Sequence, residues 1–391
     1  MNSIVQSALR EAHLLRQRPW DLAMVSWVPL LAVALLWWIF SAGLAQQLPI
    51  GVLDEDHSAL SRQITRMLGA SPGLRVAAQY TSAAEAEQAL RAAQVYGVVA
   101  LPRGLSRQAK TGQAAQVVLW HNAQLGSHSG MVQRDVRAVV GTLSAGIELA
   151  VRHKRGQSAT AALARLEPVQ TQMVTLFNVS TNYEQFLAAA LIPALLHILA
   201  MTAGAWSVGR ELRDRTLGEW LGARPGWPHT AAALVGKLLW PWLSLSGIGV
   251  LALLGITWGR GWQPPGSVAW VALGLLALVA VSIAMGAFMA ALTRSLRTAL
   301  SGAGFFSAPA FAFSGVGFPL SAMSGGARTW ALAMPFTHFI ALQVGQLQMG
   351  APRATSAPTL AALAGAALLL GALSALLLQR ASQQPATWGG R

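Results

Sequence analysis

The sequence contains no cysteine, and only 11% of its 391 residues are Asp, Glu, Lys or Arg. The absence of cysteine excludes disulfides, thiolate metal sites and thiol nucleophiles. Soluble domains carry about 25% charged residues, so the low charge together with 54% hydrophobic residues argues against a soluble enzyme. The composition therefore predicts an integral membrane protein.

Acidic residues are missing from the whole chain after Glu219 and from every long apolar window. Carriers driven by protons or sodium keep ionisable groups at membrane depth to bind the coupling ion. The only titratable group well inside a window is His197, and a lone histidine more often packs or lines a pore than relays protons. The chain also has no GxSxG, GxxxxGK[ST] or GxGxxG motif, so we predict no catalytic residue. Energy for transport is expected to enter from outside the bilayer.

Six apolar windows are long enough to cross a bilayer core of about 30 Å, which needs roughly 20 helical residues. They are 22–45, 187–208, 238–257, 267–292, 298–320 and 359–379. Glycines and prolines interrupt the fifth window, which we expect to be broken and to face the helix bundle. The stretch 329–348 is expected to be re-entrant or interfacial, with a seventh span as the alternative. The predicted fold class is a polytopic α-helical membrane protein with six spans and an inserted extracytoplasmic α/β domain.

The net charge of +14 comes from basic residues that, outside 46–186, lie between apolar windows. They form no single stripe with interleaved aromatics, so nucleic acid is not a predicted partner. Most of them lie on the side that holds both termini, which the positive-inside rule makes cytoplasmic. The predicted organisation is a cytoplasmic interfacial helix at 1–21, a first membrane helix at 22–45, an extracytoplasmic domain at 46–186, a membrane domain with five further helices at 187–379 that includes a cytoplasmic loop at 209–237, and a cytoplasmic tail at 380–391.

Strands and helices alternate within 46–186. Apolar strand patterns at 48–53, 73–79, 95–101 and 115–120 flank helical patterns at 57–69 and 81–93. This order predicts a small α/β sheet domain, followed by a long helix over roughly 127–166.

The run Asp54-Glu55-Asp56-His57 is the most site-like feature of that domain, since three acids and a histidine could bind a hard cation. The run also follows a strand and opens a helix, where acidic side chains satisfy free N–H groups and face the helix dipole. We favour the structural role and predict no metal site.

The 209–237 loop is densely charged, and Glu211 and Arg215 could pair at i,i+4 spacing on a short helix. These features suit docking to a partner. The alternative is a solvated loop whose arginines only fix the topology.

Five groups of residues, in order along the chain, resemble motifs of one family. They are Arg10-Glu11 through Arg18-Pro19 with Pro29; Leu53-Asp54-Glu55-Asp56 with Ser58, Leu60 and Ser61; Asn178, Tyr183 and Phe186; Arg210-Glu211 with Thr216-Leu217; and Ser314-Gly315, Phe318-Pro319, Met323, Trp330, Pro335 and Thr337. On these residues the chain resembles an export-class permease of the ABC transporters (ABC-2 type), in the branch with a large extracytoplasmic domain after the first helix. It departs from the family at Arg215, where glycine is usual, at Gly218, where glutamate is usual, and at Ser324, where proline is usual.

The resemblance implies the permease subunit of an ATP-driven exporter in a bacterial inner membrane. Coupling to a separate ATPase, which would hold the ATP and magnesium, is implied for Glu211, Arg215, Thr216 and Glu219. A homodimer is implied, embedded in membrane lipids and able to engage a periplasmic adaptor protein. The residues implied to line the substrate path are His197, Phe306, Pro309, Phe313, Gly315 and Pro319.

A second hypothesis is a membrane-anchored receptor or assembly factor whose outer domain binds a partner. Dependence of an associated ATPase on this chain would distinguish the two. A secondary carrier is disfavoured by the missing carboxylates, and the sequence does not name the substrate.

Overall fold

The computed structural model describes residues 3–43, 46–111, 113, 115–122, 126–154, 178, 182–222 and 225–388. The chain divides into two compact units. One comprises Met1–Gly43 and Thr175–Arg391, and the other comprises Leu44–Val174. The border at Val174 assigns residues 178 and 182–186, which we had expected in the inserted domain, to the larger unit.

Three helices open the larger unit: α1 (Ser3–Gln17), α2 (Pro19–Val25) and α3 (Trp27–Phe40). The helical path breaks at Ser26 because Pro29 has no N–H and its ring crowds the carbonyl four residues earlier. That carbonyl, of Val25, accepts a hydrogen bond from Ser244 Oγ at 2.5 Å instead. The first span is therefore two helical pieces and not one straight helix.

The smaller unit is an α/β sheet domain. Its elements are β1 (Leu48–Asp54), α4 (Ala59–Ala70), β2 (Leu74–Tyr80), α5 (Ala83–Arg91), β3 (Gly97–Leu101), α6 (Leu105–Thr111), β4 (Val118–His121) and α7 (Gly126–Lys154). The strand order is β2-β1-β3-β4. Strand β1 pairs parallel with β2 and β3, while β4 runs antiparallel to β3. All four predicted strands are confirmed, and the part of the predicted long helix beyond Lys154 lies outside the described residues.

The acidic run after β1 has the structural role that we favoured. Asp54 accepts hydrogen bonds from the backbone N–H groups of Asp56 and His57 and from Ser61 Oγ. The carboxylate of Asp56 accepts the N–H groups of Gly104 and Ser106. Burial by itself would raise the pKa of Asp56. These bonds and the one to Ser58 outweigh it, so the pKa lies below its usual range. Among the described residues, no cluster of three or more His, Asp or Glu could hold a metal ion.

The larger unit continues after the smaller one with a π-helical turn, Glu184–Ala188, that leads into α8 (Ala189–Arg213). The remaining helices are α9 (Leu217–Leu221), α10 (Trp227–Ile256), α11 (Val268–Thr293), α12 (Leu296–Ser307), α13 (Ala310–Phe313), α14 (Gly325–Ala333), α15 (Pro335–Leu347) and α16 (Arg353–Ser382).

Five helical segments of the described chain are long and apolar enough to cross a membrane. They are Pro19–Phe40, Glu184–Arg213, Trp227–Arg260, Val268–Thr293 and Arg353–Ser382. They correspond to five of the six predicted windows. The fifth window instead contains the short helices α12 and α13, as expected from its glycines and prolines, and 329–348 falls in α14 and α15, neither of which is a seventh long helix.

The helices of this unit have two ends, which we call lower (marked by Arg213 and Thr293) and upper (marked by Glu184 and Val268). Helices α8 and α11 cross closely because neither Gly204 nor Gly286 carries a Cβ: an added Cβ would meet the backbone of the facing helix. Close approach through small residues is typical of membrane helix pairs.

Helices α11 and α16 run in the same direction. At the lower end, Arg294 donates to Gln384 and Thr387 at 2.8 Å. At the upper end, Gln346 joins the start of each helix, since its Oε1 accepts from Ser267 N and its Nε2 donates to Ser356 Oγ. The chain between Thr293 and Arg353 therefore returns from the lower end to the upper end.

Helices α14 and α15 form a hairpin within that return. Trp330, Met334 and Pro335 lie beside His197, about halfway along α8. From there α15 runs back to the upper end at Gln346. The hairpin thus enters the helix bundle and leaves it on the same side, which is the geometry of a re-entrant element.

Candidate functional site

Six charged side chains from four helices meet inside the lower end of the larger unit. We call them the ion network: Arg10 and Glu11 of α1, Asp21 of α2, Arg210 and Glu211 of α8, and Lys237 of α10. Helix α1 reaches this position by packing Ser7, Ala8, Glu11 and Leu15 inward. Gly236 of α10 allows the contact, because a Cβ there would meet the carbonyl of Ile4.

The ion pairs form one continuous chain. Arg210 binds Asp21 and donates to both oxygens of Glu11 at 2.8 Å. Lys237 Nζ lies 2.7 Å from Glu11 Oε2 and 2.7 Å from Glu211 Oε1. Glu211 also accepts from Arg10 at 2.6 and 3.1 Å. Three cations and three anions alternate, so the ion network is neutral as a whole.

Burial makes this network costly to disturb. The residues Glu11, Glu211 and Lys237 are each 1% exposed, and Arg210 is 2% exposed. Charges removed from water are tolerated only when they are paired and hydrogen-bonded, and removal of one partner typically costs about 3–5 kcal/mol. The helices that carry the network are therefore held together tightly at this end.

The segment after α8 is bound to the ion network from outside. Thr216 Oγ1 donates to Glu211, and the Trp220 ring lies under Lys237 Nζ at 4.8 Å. The indole Nε1 of Trp220 donates to Ser7 Oγ at 2.8 Å. Helix α9 is thereby fixed against α1 and α10.

The predicted i,i+4 pairing of Glu211 with Arg215 on one short helix is wrong. Helix α8 ends at Arg213, and Arg215 takes a left-handed conformation with φ +59°, so the two residues are not on one helix. Glu211 points inward and pairs with Arg10 and Lys237 in place of Arg215. Its burial excludes direct contact of its carboxylate with a partner in this conformation.

Four charged residues of the same segment face outward: Arg213, Asp214, Arg215 and Glu219. We call them the outer face. Asp214 accepts from Arg213 at 2.7 Å and from Arg18 at 3.1 Å. The Arg213 hydrogen bond, against an opposing effect of burial and with help from Arg18, lowers the pKa of Asp214.

Two of the predicted path residues, His197 and Phe306, line one small cavity together with Met285 and Trp330. The Ser282 hydroxyl donates to the Leu278 carbonyl at 2.6 Å. Ser282 Oγ also forms a 2.7 Å hydrogen bond with His197 Nδ1. His197 is packed, stacking on Phe336 with ring centroids 5.9 Å apart.

Two others, Gly315 and Pro319, line a larger cavity of about 460 Å³ near the upper end, with Phe186 and Gln343. Gly315 adopts φ +90°, a turn that favours glycine. Pro309 precedes α13, and Phe313 packs against the helical core. The structure thus places four of the six predicted path residues in two separate cavities, and Pro309 and Phe313 line neither of these two.

Another buried carboxylate, which we did not predict, lies at the upper end. Glu184 accepts from Trp37 Nε1 at 2.6 Å and from Arg260 Nε at 3.1 Å, and Arg260 also donates to the Ser41 carbonyl. Two glutamines donate to carbonyls of the adjoining π-helical region. Gln343 of α15 binds Ala189 O, and Gln348, directly after α15, binds Gln185 O. Irregular helical turns of this kind free carbonyls that need such partners.

Comparison with known proteins identifies the chain as a transporter component. The profile of a family described as "ABC-2 family transporter protein" matches residues 19–376. The chain belongs to the ABC-2 transporter family. It is a multi-pass membrane protein and the membrane component of a transporter, and membership of this family implies association with an ABC ATPase subunit. No curated protein sequence matches the chain.

The family match begins after α1 and ends before the C-terminal turn. In this ABC-2 family member, two of the six charges of the ion network, those of Arg10 and Glu11, therefore lie outside the matched residues. Sequence reasoning missed the network, although a signal was present: Asp21 and Lys237 each stand at the border of an apolar window, where a charge without a partner is costly.

Proposed function

We propose that this chain is the permease subunit of an export-class ABC transporter, which works as a homodimer with a separate ATPase subunit docked on the outer face. The observation that carries the proposal is the two-sided character of the segment 213–221. Its outer face presents Arg213, Asp214, Arg215 and Glu219, while Thr216 and Trp220 bind the ion network from the other side.

This arrangement gives each predicted coupling residue a distinct role. Arg215 and Glu219 are exposed and would contact the ATPase, whereas Glu211 and Thr216 anchor the segment from within. Movement of the ATPase would displace α9. Because the buried ions resist separation, the displacement would pass to α1, α8 and α10 as one body.

We further propose six membrane crossings with both termini in the cytoplasm. The parallel directions of α11 and α16 support this count, since the return through α12 and α13 supplies the sixth crossing. Arg16, Arg297 and Arg380 mark the lower end, and the upper end keeps Arg260, Arg328 and Arg353. The positive-inside rule then makes the lower end cytoplasmic and the smaller unit extracytoplasmic.

The substrate path of the proposed dimer would run past α8 and α12. Phe305 of α12 is 68% exposed and contacts Phe306 and Trp330, with ring centroids 5.7 and 5.9 Å apart. This aromatic surface stands at the depth of His197. A second copy of the chain that faces it would enclose a path lined by Phe305, Phe306 and, nearer the upper end, Gly315 and Pro319, with the packed His197 behind this surface. A periplasmic adaptor bound to the smaller unit stays a prediction.

A charge swap on the outer face tests the function. In Arg215→Glu/Glu219→Arg both exposed charges reverse while the ion network and the net charge stay unchanged. Capture of the ATPase by the permease and stimulation of ATP hydrolysis should each fall at least about tenfold, which is about 1.4 kcal/mol of binding energy. The matched control is Arg328→Glu at the upper end, which should leave both unchanged. Native values for the double variant would exclude docking at this face and favour a receptor or assembly role.

A further inference from the structure

The chain beyond α16 folds back on the lower end of the larger unit. A 3-10 turn, Pro385–Thr387, follows the helix, and Trp388 returns so that its Nε1 donates to the Ala381 carbonyl at 2.7 Å. Trp388 is only 8% exposed. These contacts make the segment part of the fold at the lower end.

Arg294 ties the same segment to α11. It occupies the left-handed position that ends the helix, with φ +53°. From there its Nη1 donates to Gln384 Oε1 and to Thr387 Oγ1, both at 2.8 Å. The turn therefore has a fixed position relative to two long helices, and Trp388 is presented at a defined place.

That place is the side of α9 at Gly218. A Cβ added at Gly218 would lie 3.4 Å from Trp388 Cη2, the outer edge of the indole. Trp388 also belongs to the buried apolar cluster that contains Leu217 and Leu221. Trp220, on another side of α9, meets Lys237. Helix α9 is thus held between the ion network and the C-terminal indole.

A helix of five residues needs such support. Isolated helices shorter than about 12–15 residues are marginal in water, so the orientation of α9 depends on its tertiary contacts. Gly218 offers no side chain for packing, and the indole of Trp388 occupies the adjacent space. Trp388 itself lies outside the residues that the family profile matches.

We propose that Trp388 is a positioning residue for the outer face: it braces α9 at Gly218, so that Arg215 and Glu219 meet the ATPase in a fixed orientation. This inference rests on the proposed function for its role in coupling. The contact itself does not, and the two can be tested separately.

The contact is tested by thiol labelling of the detergent-purified full chain, which has no natural cysteine. The variant Gly218→Cys places a thiol beside the indole, since its Cβ would lie in van der Waals contact with Trp388. Its rate of reaction with a water-soluble maleimide should rise several-fold when Trp388→Ala is added. The control substitution Trp258→Ala, at an exposed tryptophan near the upper end, should leave the rate unchanged. An equal labelling rate with and without the Trp388 indole would contradict the contact between Trp388 and α9.

The role in coupling is tested in proteoliposomes with the ATPase subunit that copurifies with the chain. Trp388→Ala should lower stimulation of ATP hydrolysis, while Trp388→Phe, which keeps a ring beside Gly218, should restore most of it. Loss of the buried indole also lowers the unfolding temperature of the permease, so stimulation is compared at a temperature at which thermal unfolding shows every variant to be folded. A faster labelling rate with native stimulation would refute the positioning role. If the native chain itself neither binds nor stimulates an ATPase, the proposed function fails, and the labelling rates still decide the contact.

Discussion

The two ends of α8 are held by different chemistry. At the lower end, six charges in alternation bind α8 to α1, α2 and α10, with both carboxylates of the central glutamates buried. At the upper end, Glu184 is the only buried charge among the described residues, and its cation Arg260 is 42% exposed. Hydrogen bonds from Gln343 and Gln348 to backbone carbonyls complete that end.

This difference separates a rigid end from an adaptable one. Buried ion pairs resist partial separation, because any step that leaves a charge unpaired is costly. Amide-to-carbonyl bonds at an irregular helical turn are individually worth about 0.5–1.5 kcal/mol and can be exchanged one at a time. We therefore expect the lower end to move as a body, and the upper end to change its contacts during transport.

The largest effect should come from Lys237→Met. The substitution keeps the length of the side chain but leaves Glu11 and Glu211 without a shared cation, at a cost of about 3–5 kcal/mol. Thermal unfolding of the purified chain in detergent measures the loss. Arg260→Met is the matched variant at the upper end. It removes the cation of one buried carboxylate, Glu184, which keeps its hydrogen bond from Trp37, and the lost cation is partly solvated, so the cost should be lower than for Lys237→Met, which affects two carboxylates. Equal losses would contradict the contrast between the two ends.

An intermediate effect is expected from Thr216→Val, which removes the hydroxyl that binds Glu211 and keeps the shape of the side chain. The lost hydrogen bond should cost about 1 kcal/mol of stability, and stimulation of the ATPase should fall because α9 is released from the ion network. Thr216→Ser, which retains the hydroxyl, should behave as native. The internal-anchor role would be wrong if the valine variant stimulated the ATPase fully.

The smallest effect concerns pH. Because Arg213 and Arg18 lower the pKa of Asp214, its ion pairs contribute stability above the usual pKa of 3.8 and lose it as pH falls through the lower folded value. Unfolding temperatures of the native chain and Asp214→Asn should therefore differ at neutral pH and converge in strong acid. A difference that grew on acidification would show that the sign of the linkage is wrong.

Much of the fold followed from apolar length and alternation alone. Most of the long helices and the four strands lie close to their predicted ranges, since membrane spans and buried strands are fixed mainly by burial of local runs. The exception is α10, which begins at Trp227 and not at 238, so that part of the predicted 209–237 loop is helical. The break at Ser26 could not be predicted in this way, because it depends on Ser244 of a neighbouring helix, which satisfies the free Val25 carbonyl.

The site was harder to predict, since its contacts join residues far apart in the sequence. Glu211 and Lys237 are 26 residues apart, and Glu11 and Arg210 are 199 apart. Local spacing suggested an exposed Glu211–Arg215 pair, but the competing long-range cations Arg10 and Lys237 prevailed. His197 was predicted to pack or line a pore, and it does pack, because Ser282 on a facing helix supplies its partner.

The central claim, that an ATPase docks on the outer face at the lower end, is tested most directly by site-specific crosslinking. Glu219→Cys and, as the upper-end control, Arg328→Cys would each carry a photoactivatable maleimide in the complex that copurifies with the ATPase. We predict a crosslink to the ATPase from position 219 and none from position 328. A crosslink from 328 alone, or none from 219 while the ATPase remains bound, would contradict the account.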